Sequence, residues 1–128
     1  MKKWRWIAES LVLAIHEAQL AEHGGDAGIR DPGLLSSALA RPRNRVAYGD
    51  ADAFDVAAAY AFGIAKNHPF LDGNKRTAFV VAAVFLLDHD FVLGAADEEI
   101  VRAVVALSES SMSEDDLAGW LRSRSTQA

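Results

Sequence analysis

The chain has 128 residues, of which 51% are hydrophobic and none is cysteine, and its formal net charge is −5 at pH 7. This length fits one compact domain with a buried core, and it excludes a catalytic module joined to a separate binding module. The acidic balance argues against direct nucleic-acid binding, which requires clustered Lys and Arg. The lack of cysteine excludes disulfides, thiolate zinc sites and cysteine nucleophiles.

No segment is typical of a targeting signal or a membrane span. Lys2 and Lys3 precede an apolar stretch, but Glu9 and His16 interrupt that stretch. The longest apolar run, residues 78–87, is about half of the ~20 residues that span a bilayer, so it indicates a buried helix. We therefore expect a cytoplasmic protein without a membrane partner.

Apolar residues recur at helical spacing and alanine supplies 24 of the 128 residues, which predicts an all-α domain of about six helices. The first helix is expected to end at Gly24 and Gly25, because glycine commonly caps helix C-termini. The second is expected to begin at Asp31 and Pro32, an N-cap followed by proline, and to end near Pro42. The apolar stripe predicted for the first helix is Ile7, Leu11, Ala14, Ile15 and Ala18.

Two segments depart from the helical pattern, one at the start of the first helix and one after the second. Residues 4–7 are either the start of the first helix or a short strand, and residues 42–52 read as an extended loop or small hairpin with the most basic surface of the chain. The third helix is expected to end at the His68-Pro69 step, because proline disfavours helical geometry in the preceding residue. Its predicted apolar face consists of Phe54, Ala57, Ala58, Ala61, Ile64 and Ala65.

The last third of the chain is predicted to contain three helices and one extended segment. A fourth helix over about residues 74–88 is apolar nearly all round, which is typical of a central helix. Residues 91–93 form a short extended piece. Two further helices follow, one with an N-cap at Asp97 and one with a capping box between Ser113 and Asp116.

One polar segment, HPFLDGNKRT over residues 68–77, lies between two strongly apolar helices. It leads directly into a helix N-terminus, where unpaired backbone N–H groups and the helix dipole favour an anion, phosphate above all. Asn74 and Arg76 can donate to phosphate oxygens, and Lys75 adds a positive charge. The segment therefore predicts a phosphate site.

Two residues of the same segment could carry the chemistry. Asp72 is a hard oxygen ligand suited to Mg²⁺. His68 has an ordinary pKa of ~6.5 and can accept a proton from a hydroxyl at neutral pH, so it is the candidate general base. Taken singly, each residue has an ordinary structural interpretation as a turn, a helix end or a solvated helix start, but their combination within nine residues favours function.

Other sites fail on spacing. A Walker-type phosphate loop would need lysine directly after its second glycine, whereas Gly73 is followed by Asn74. A zinc helix would need a second nearby histidine. The three remaining histidines, His16, His23 and His89, are interpreted as structural.

The string HPFLDGNKRTA resembles the motif of the Fic/Doc family, H-x-F-x-[DE]-[AG]-N-[KG]-R, and matches it at every position. The flanking strings HGGDAGIRDPGLLSSALARP, RVAYGD and AFDVAAAYAFGIAKN are similar to the death-on-curing toxin branch of that family. The similarity covers residues 6–121. It implies a compact Fic/Doc-type helical bundle that transfers a phosphate-containing group from a nucleotide to a protein hydroxyl.

The branch implies the reaction and the partners. Most Fic relatives transfer AMP and carry glycine at the position of Lys75, whereas the death-on-curing branch carries lysine and acts as a kinase. The resemblance thus implies a toxin that transfers the γ-phosphate of ATP, with Mg²⁺, to a Ser/Thr hydroxyl of elongation factor Tu and arrests translation. It also implies an antitoxin of the prevent-host-death type. An AMP transferase and a catalytically silent partner that binds nucleotide or antitoxin are the alternatives.

The resemblance also implies roles for individual residues. His68 would be the base, Asp72 would hold Mg²⁺, and Phe70 would pack inward and orient the loop. The residues implied to bind ATP phosphates are Gly73, Asn74, Lys75 and Arg76.

Residues 41–48 align with the family's flap, a short hairpin that pairs with the target backbone beside the active-site loop. The alternatives are an ordinary surface loop, or arginines that contact phosphates or an acidic partner. The candidate flap residues are Arg43, Arg45, Val46, Ala47 and Tyr48.

Overall fold

A computed structural model describes residues 4–128, so Lys2 and Lys3 lie outside the described residues. Within that range the chain forms six α-helices and one two-stranded sheet, which confirms the predicted fold class. None of these helices is long and apolar enough to cross a membrane. The elements in chain order are α1 (Glu9–His23), α2 (Pro32–Tyr48), α3 (Ala53–Asn67), α4 (Asn74–Asp88), β1 (Phe91–Leu93), α5 (Asp97–Ser108), α6 (Glu114–Ser123) and β2 (Ser125–Gln127).

The core is built around α3, which packs against α2, α4, α5 and α6. Residues 56–61 of this helix are almost completely buried, because its small alanines let neighbouring helices approach from every side. The prediction that α4 is a central helix is only partly confirmed, because α4 packs against α1, α3, α5 and β1 but is open on one side. Leu87 of α4 is exposed, and Val80 and Val84 are only partly buried along an open groove.

Most predicted helix ends are confirmed. Asp31 accepts hydrogen bonds from two backbone N–H groups in the first turn of α2, and Ser113 forms the predicted capping box at the start of α6. The predicted cap of α5 is wrong by one residue. Asp97 is already helical, and the backbone N–H of Ala96 donates to the carboxylate of Glu99 instead.

The buried face of α1 differs from the predicted stripe. Its buried residues are Val12, Ile15 and His16, whereas Leu11 and two alanines of the stripe are exposed. Residues 4–7 form neither helix nor strand. The helix begins only at Glu9. Its buried face is turned toward the loop between α3 and α4, and this loop contacts His16.

The hairpin predicted over residues 42–52 is wrong, because α2 continues to Tyr48 with Pro42 inside it. Pro42 has no N–H for the carbonyl of Ala38, a defect that costs a helix about 3 kcal/mol. Gly63 of α3 packs directly against this carbonyl, and a Cβ there would lie only 3.1 Å from the oxygen. Close packing between α2 and α3 therefore carries the helix through the proline.

The extended segment at Phe91–Leu93 is confirmed as β1, and β2 is an element that the sequence did not predict. The two strands are antiparallel, with Val92 opposite Thr126. They join the end of the chain to the segment that follows α4.

Candidate active site

Two residues with left-handed backbone bracket the loop between α3 and α4. His68 ends α3 at φ 50° and ψ 56°, and its N–H donates to the carbonyl of Ile64. Gly73 precedes α4 at φ 76°, a conformation that glycine adopts without strain. The predicted end at the His68-Pro69 step is confirmed, and the two turns bring the loop back onto the first turn of α4.

Asn74 closes this loop with its side chain. Its Oδ1 accepts a hydrogen bond from the N–H of Phe70 at 2.9 Å, and its Nδ2 donates to the carbonyl of Phe70 at 3.0 Å. The Phe70 ring is buried. The side-chain amide of Asn74 therefore shapes the loop. The group of Asn74 that remains able to donate to a ligand at the helix terminus is its backbone N–H.

The first turn of α4 has the features of an anion site. Within residues 4–128 no partner bonds the backbone N–H groups of Asn74, Lys75 and Arg76, and no side chain caps the helix. These groups face a cleft of about 370 Å³. Its lining residues are His68, Leu71, Asp72, Gly73, Asn74, Lys75, Arg76 and Val104.

The carboxylate of Asp72 lies in the same cleft. One oxygen accepts a hydrogen bond from the N–H of Gly73 at 3.0 Å and the other from the N–H of Asp26 at 3.3 Å, so each retains capacity for a further ligand. In the described part of the chain no group of three or more acidic or histidine side chains could hold a metal alone. A single carboxylate fits a Mg²⁺ that arrives with nucleotide phosphates and keeps several waters.

The surroundings of His68 favour its neutral form. Burial of the ring lowers its pKa below the ordinary value of 6.5, and the positive charges of Lys75, Arg30 and Lys66 lower the pKa further. At pH 7 the ring is therefore mostly neutral and able to accept a proton.

Residues 24–31, here called the clasp segment, run alongside the loop. The carbonyl of Pro69 accepts hydrogen bonds from the N–H groups of Arg30 and Asp31, at 2.7 and 3.1 Å. Ile29 and Phe70 form an isolated antiparallel bridge. The clasp segment thus holds the loop by backbone pairing.

Arg30 adds a side-chain contact that sequence reasoning missed. Its Nε donates to the carbonyl of His68 at 2.7 Å and its Nη2 to the carbonyl of Asn67 at 2.9 Å. A cation at these free carbonyls stabilises the C-terminus of α3. Arg30 therefore both fixes the backbone of His68 and contributes to its positive surroundings.

The candidate flap residues lie elsewhere. Asn67, at the C-terminus of α3 next to the loop, donates to the carbonyl of Leu34 near the start of α2. Arg45, near the end of α2, pairs with Asp55 at the N-terminus of α3. The 15 residues of α3 separate these ends by about 22 Å. The flap prediction for Arg43, Arg45, Val46, Ala47 and Tyr48 is therefore wrong, because all five belong to the distant half of α2.

The sequence did contain a signal for the clasp segment. Gly24, Gly25 and Gly28 all have positive φ, and a Cβ on Gly25 would lie 2.9 Å from the carboxylate of Asp72. Three glycines before an N-cap indicate an irregular segment that approaches something closely.

A second, apolar cavity adjoins the cleft. It has a volume of about 770 Å³, lies between α1, α4 and α5, and shares Arg76 and Val104 with the cleft. Leu87, Val101 and Val105 on its walls are large exposed hydrophobic residues. We call this cavity the apolar groove.

Comparison with known proteins identifies relatives over most of the chain. The model of the Fic/DOC family matches residues 6–86, a range that includes the loop and most of α4. A protein named protein kinase doc, from Escherichia phage P1, is 36% identical over 114 residues, covering 80% of this chain and 90% of the relative. A protein named toxin Doc, from Mycolicibacterium smegmatis, is 43% identical over 98 residues, covering 73% of each.

Proposed function

The chain belongs to the Fic/DOC family, and on this basis we propose that it is a toxin that acts as a protein kinase. It transfers the γ-phosphate of ATP, bound with Mg²⁺, to a serine or threonine hydroxyl of elongation factor Tu in the cytoplasm. An antitoxin of the prevent-host-death type controls it. The name of one relative, protein kinase doc, supports the proposed kinase activity, and the name of the other, toxin Doc, supports the proposed role as a toxin.

The observation that carries the proposal is a neutral histidine facing an anion site. His68 shares one cleft with the free N–H groups at the start of α4 and with the cations Lys75 and Arg76. Phosphoryl transfer asks a protein mainly for positioning and for positive groups around the phosphate. The cleft supplies both, together with a base.

The reaction uses these residues in a defined order. His68 accepts the proton of the target hydroxyl, and the oxygen forms a bond to the γ-phosphorus as the bond from that phosphorus to the β–γ bridging oxygen breaks. ADP leaves, and its negative charge is stabilised by Lys75, Arg76 and the N–H groups of α4. Mg²⁺, which Asp72 would hold, supplies positive charge to the phosphate oxygens when bound.

Lys75 is the feature that favours γ-phosphate transfer over AMP transfer. Its side chain adds volume and positive charge at a position where AMP-transferring relatives carry glycine. We infer that the lysine fills space that another phosphate would need and so determines which phosphorus faces His68. Label from the α-phosphate in the target would assign the protein to the AMP transferases.

The clasp segment takes the role that the sequence prediction gave to the flap. It is extended and exposed, and Ile29 pairs with Phe70 beside the cleft. An extended backbone next to the base can align a target segment by strand-like pairing.

We place the antitoxin in the apolar groove. The groove joins the cleft at Arg76, so an occupant with an apolar helical face could reach a residue of the phosphate site. The substitution Val101→Glu should weaken binding of the purified antitoxin about tenfold or more, because it buries an unpaired charge. Val92→Glu, on an exposed residue outside the groove, is the matched control, and equal binding by both variants would contradict this placement.

The reaction is tested with purified elongation factor Tu, ATP and Mg²⁺, followed by mass spectrometry of the target. The substitution His68→Ala should lower the rate about 10²–10⁴-fold, as expected for loss of a general base. His89→Ala, a histidine outside the cleft, should leave the rate unchanged. A fully active His68→Ala protein would contradict the mechanism, and an unmodified target would contradict the proposed activity.

A further inference from the structure

His16 of α1 is a buried histidine beneath the catalytic loop. Only 3% of its surface is exposed, although its sequence context does not distinguish it from the other histidines that were interpreted as structural. Its ring stacks on Phe70 with centroids 3.7 Å apart and planes 8° from parallel. Its Nε2 lies 2.8 Å from the carbonyl oxygen of Asp72.

The chemistry of this contact fixes the tautomer of the ring. A carbonyl oxygen can only accept a hydrogen bond, so Nε2 of His16 carries the proton and donates it. The acceptor belongs to the peptide that joins Asp72 to Gly73. The contact therefore restrains the backbone between the carboxylate and the first turn of α4.

Contacts from two different helices, α4 and α1, then fix the loop. Asn74 bonds both backbone groups of Phe70, and His16 bonds the carbonyl of Asp72 while covering the Phe70 ring. The side chain of Asp72 meets only backbone N–H groups of its neighbours. Its direction into the cleft consequently depends on how firmly its own peptide is held.

We propose that His16 is a positioning residue, which orients the Asp72 carboxylate toward the metal of a bound metal–nucleotide complex through the hydrogen bond to the Asp72 carbonyl. The inference rests on the proposed function, because it assumes that a metal and a nucleotide bind in the cleft. Partners that orient metal ligands typically change metal affinity by 10–100-fold when they are removed.

The test compares two substitutions that separate the hydrogen bond from the stacking. His16→Phe keeps an aromatic ring on Phe70 but removes the donor, whereas His16→Gln places an amide N–H near the position of Nε2. His89→Phe is the matched control, because His89 also stacks on a phenylalanine, Phe85, and bonds its carbonyl, away from the cleft. Mn²⁺ serves as the probe, and its binding in the presence of ADP is followed by electron paramagnetic resonance.

We expect His16→Phe to weaken Mn²⁺ binding by about tenfold or more, His16→Gln to recover most of the affinity, and His89→Phe to leave it unchanged. Thermal melts of the three variants separate this effect from a loss of folding. Equal Mn²⁺ affinity in His16→Phe and the unaltered protein would overturn the proposal, and so would an absence of ADP-dependent Mn²⁺ binding by the unaltered protein. Failure of the proposed function alone would give a different result: Mn²⁺ and ADP would bind as expected, but no phosphate would reach the target.

Discussion

At the scale of single residues, the environment of His68 is assembled from three parts of the chain. Lys75 comes from α4, Arg30 from the clasp segment and Lys66 from the last turn of α3. Each cation disfavours a second positive charge on the ring. Lys75, which would bind phosphate, therefore also helps to keep the base unprotonated.

The first prediction concerns the pKa of this base. Because burial and three cations lower the pKa of His68 below 6.5, less than half of the rings carry a proton at pH 6.5, and the acid limb of the rate profile should lie below that pH. Lys75→Met should raise the pKa toward 6.5 and Lys66→Met should raise it less, since Lys66 contributes the smaller effect. Proton NMR titration measures all three values, and a pKa above 6.5 in the unaltered protein would contradict this electrostatic account.

The grouping of the candidate site residues was predictable from the sequence, because most of them lie in one short segment. The base, the carboxylate and the cations of residues 68–77 are present together in the cleft. The contacts by which Asn74 and His16 hold the loop were not predictable, because each side chain bonds a backbone group of the loop. Residue type alone does not reveal which carbonyl a side chain will meet in the folded chain.

At the scale of elements, the loop between α3 and α4 depends on the clasp segment. Arg30 bonds two carbonyls at the end of α3, and the carbonyl of Gly28 accepts the N–H of Leu71. None of these contacts is part of the regular hydrogen bonding of a helix or a strand. The loop is therefore held by an irregular segment that could open without disturbing the core.

The second prediction tests this dependence. Arg30→Ala removes two hydrogen bonds from a charged donor, so local opening should become easier by about 1–2 kcal/mol, which corresponds to roughly tenfold faster hydrogen exchange at the amide of Leu71. Arg102→Ala removes an exposed arginine of α5 and is the control. Unchanged exchange at Leu71 in Arg30→Ala would show that the arginine does not hold the loop.

The third prediction concerns the contact between α2 and α3. Gly63→Ala would bring a Cβ to 3.1 Å from the carbonyl of Ala38, and the resulting overpacking should lower the free energy of unfolding by about 1–3 kcal/mol. Gly119→Ala in α6 meets nothing within 4 Å and should raise it by up to about 1 kcal/mol, because alanine favours helix. Urea denaturation distinguishes the two, and equal effects would contradict the packing described for α2.

Sequence patterns predicted most elements but misplaced the end of α2. Glycine, proline and capping signals gave the ends of α1 and α3, the limits of α4 and the start of α6 closely, since these signals are local. The predicted end of α2 was wrong. Pro42 is a local signal for the end of a helix, and packing of α2 against Gly63 overrides that signal. The flap assignment to residues 41–48 failed with it.

At the scale of the whole molecule, a core centred on α3 supports a cleft and a groove that share one wall. Arg76 and Val104 line both cavities. A partner in the apolar groove would therefore contact the phosphate site without entering it. The fold class was predictable from composition and periodicity, whereas the groove was not, because it arises from how α1, α4 and α5 are arranged in space.

The central claim is that the cleft transfers the γ-phosphate of ATP to a protein hydroxyl. The most direct test incubates the unaltered protein with Mg²⁺, elongation factor Tu and ATP carrying radioactive phosphorus at either the γ or the α position. Label should reach the target from the γ position alone, and His68→Ala should lower its rate of incorporation about 10²–10⁴-fold. Label from the α position, or incorporation at the unaltered rate in His68→Ala, would contradict this mechanism.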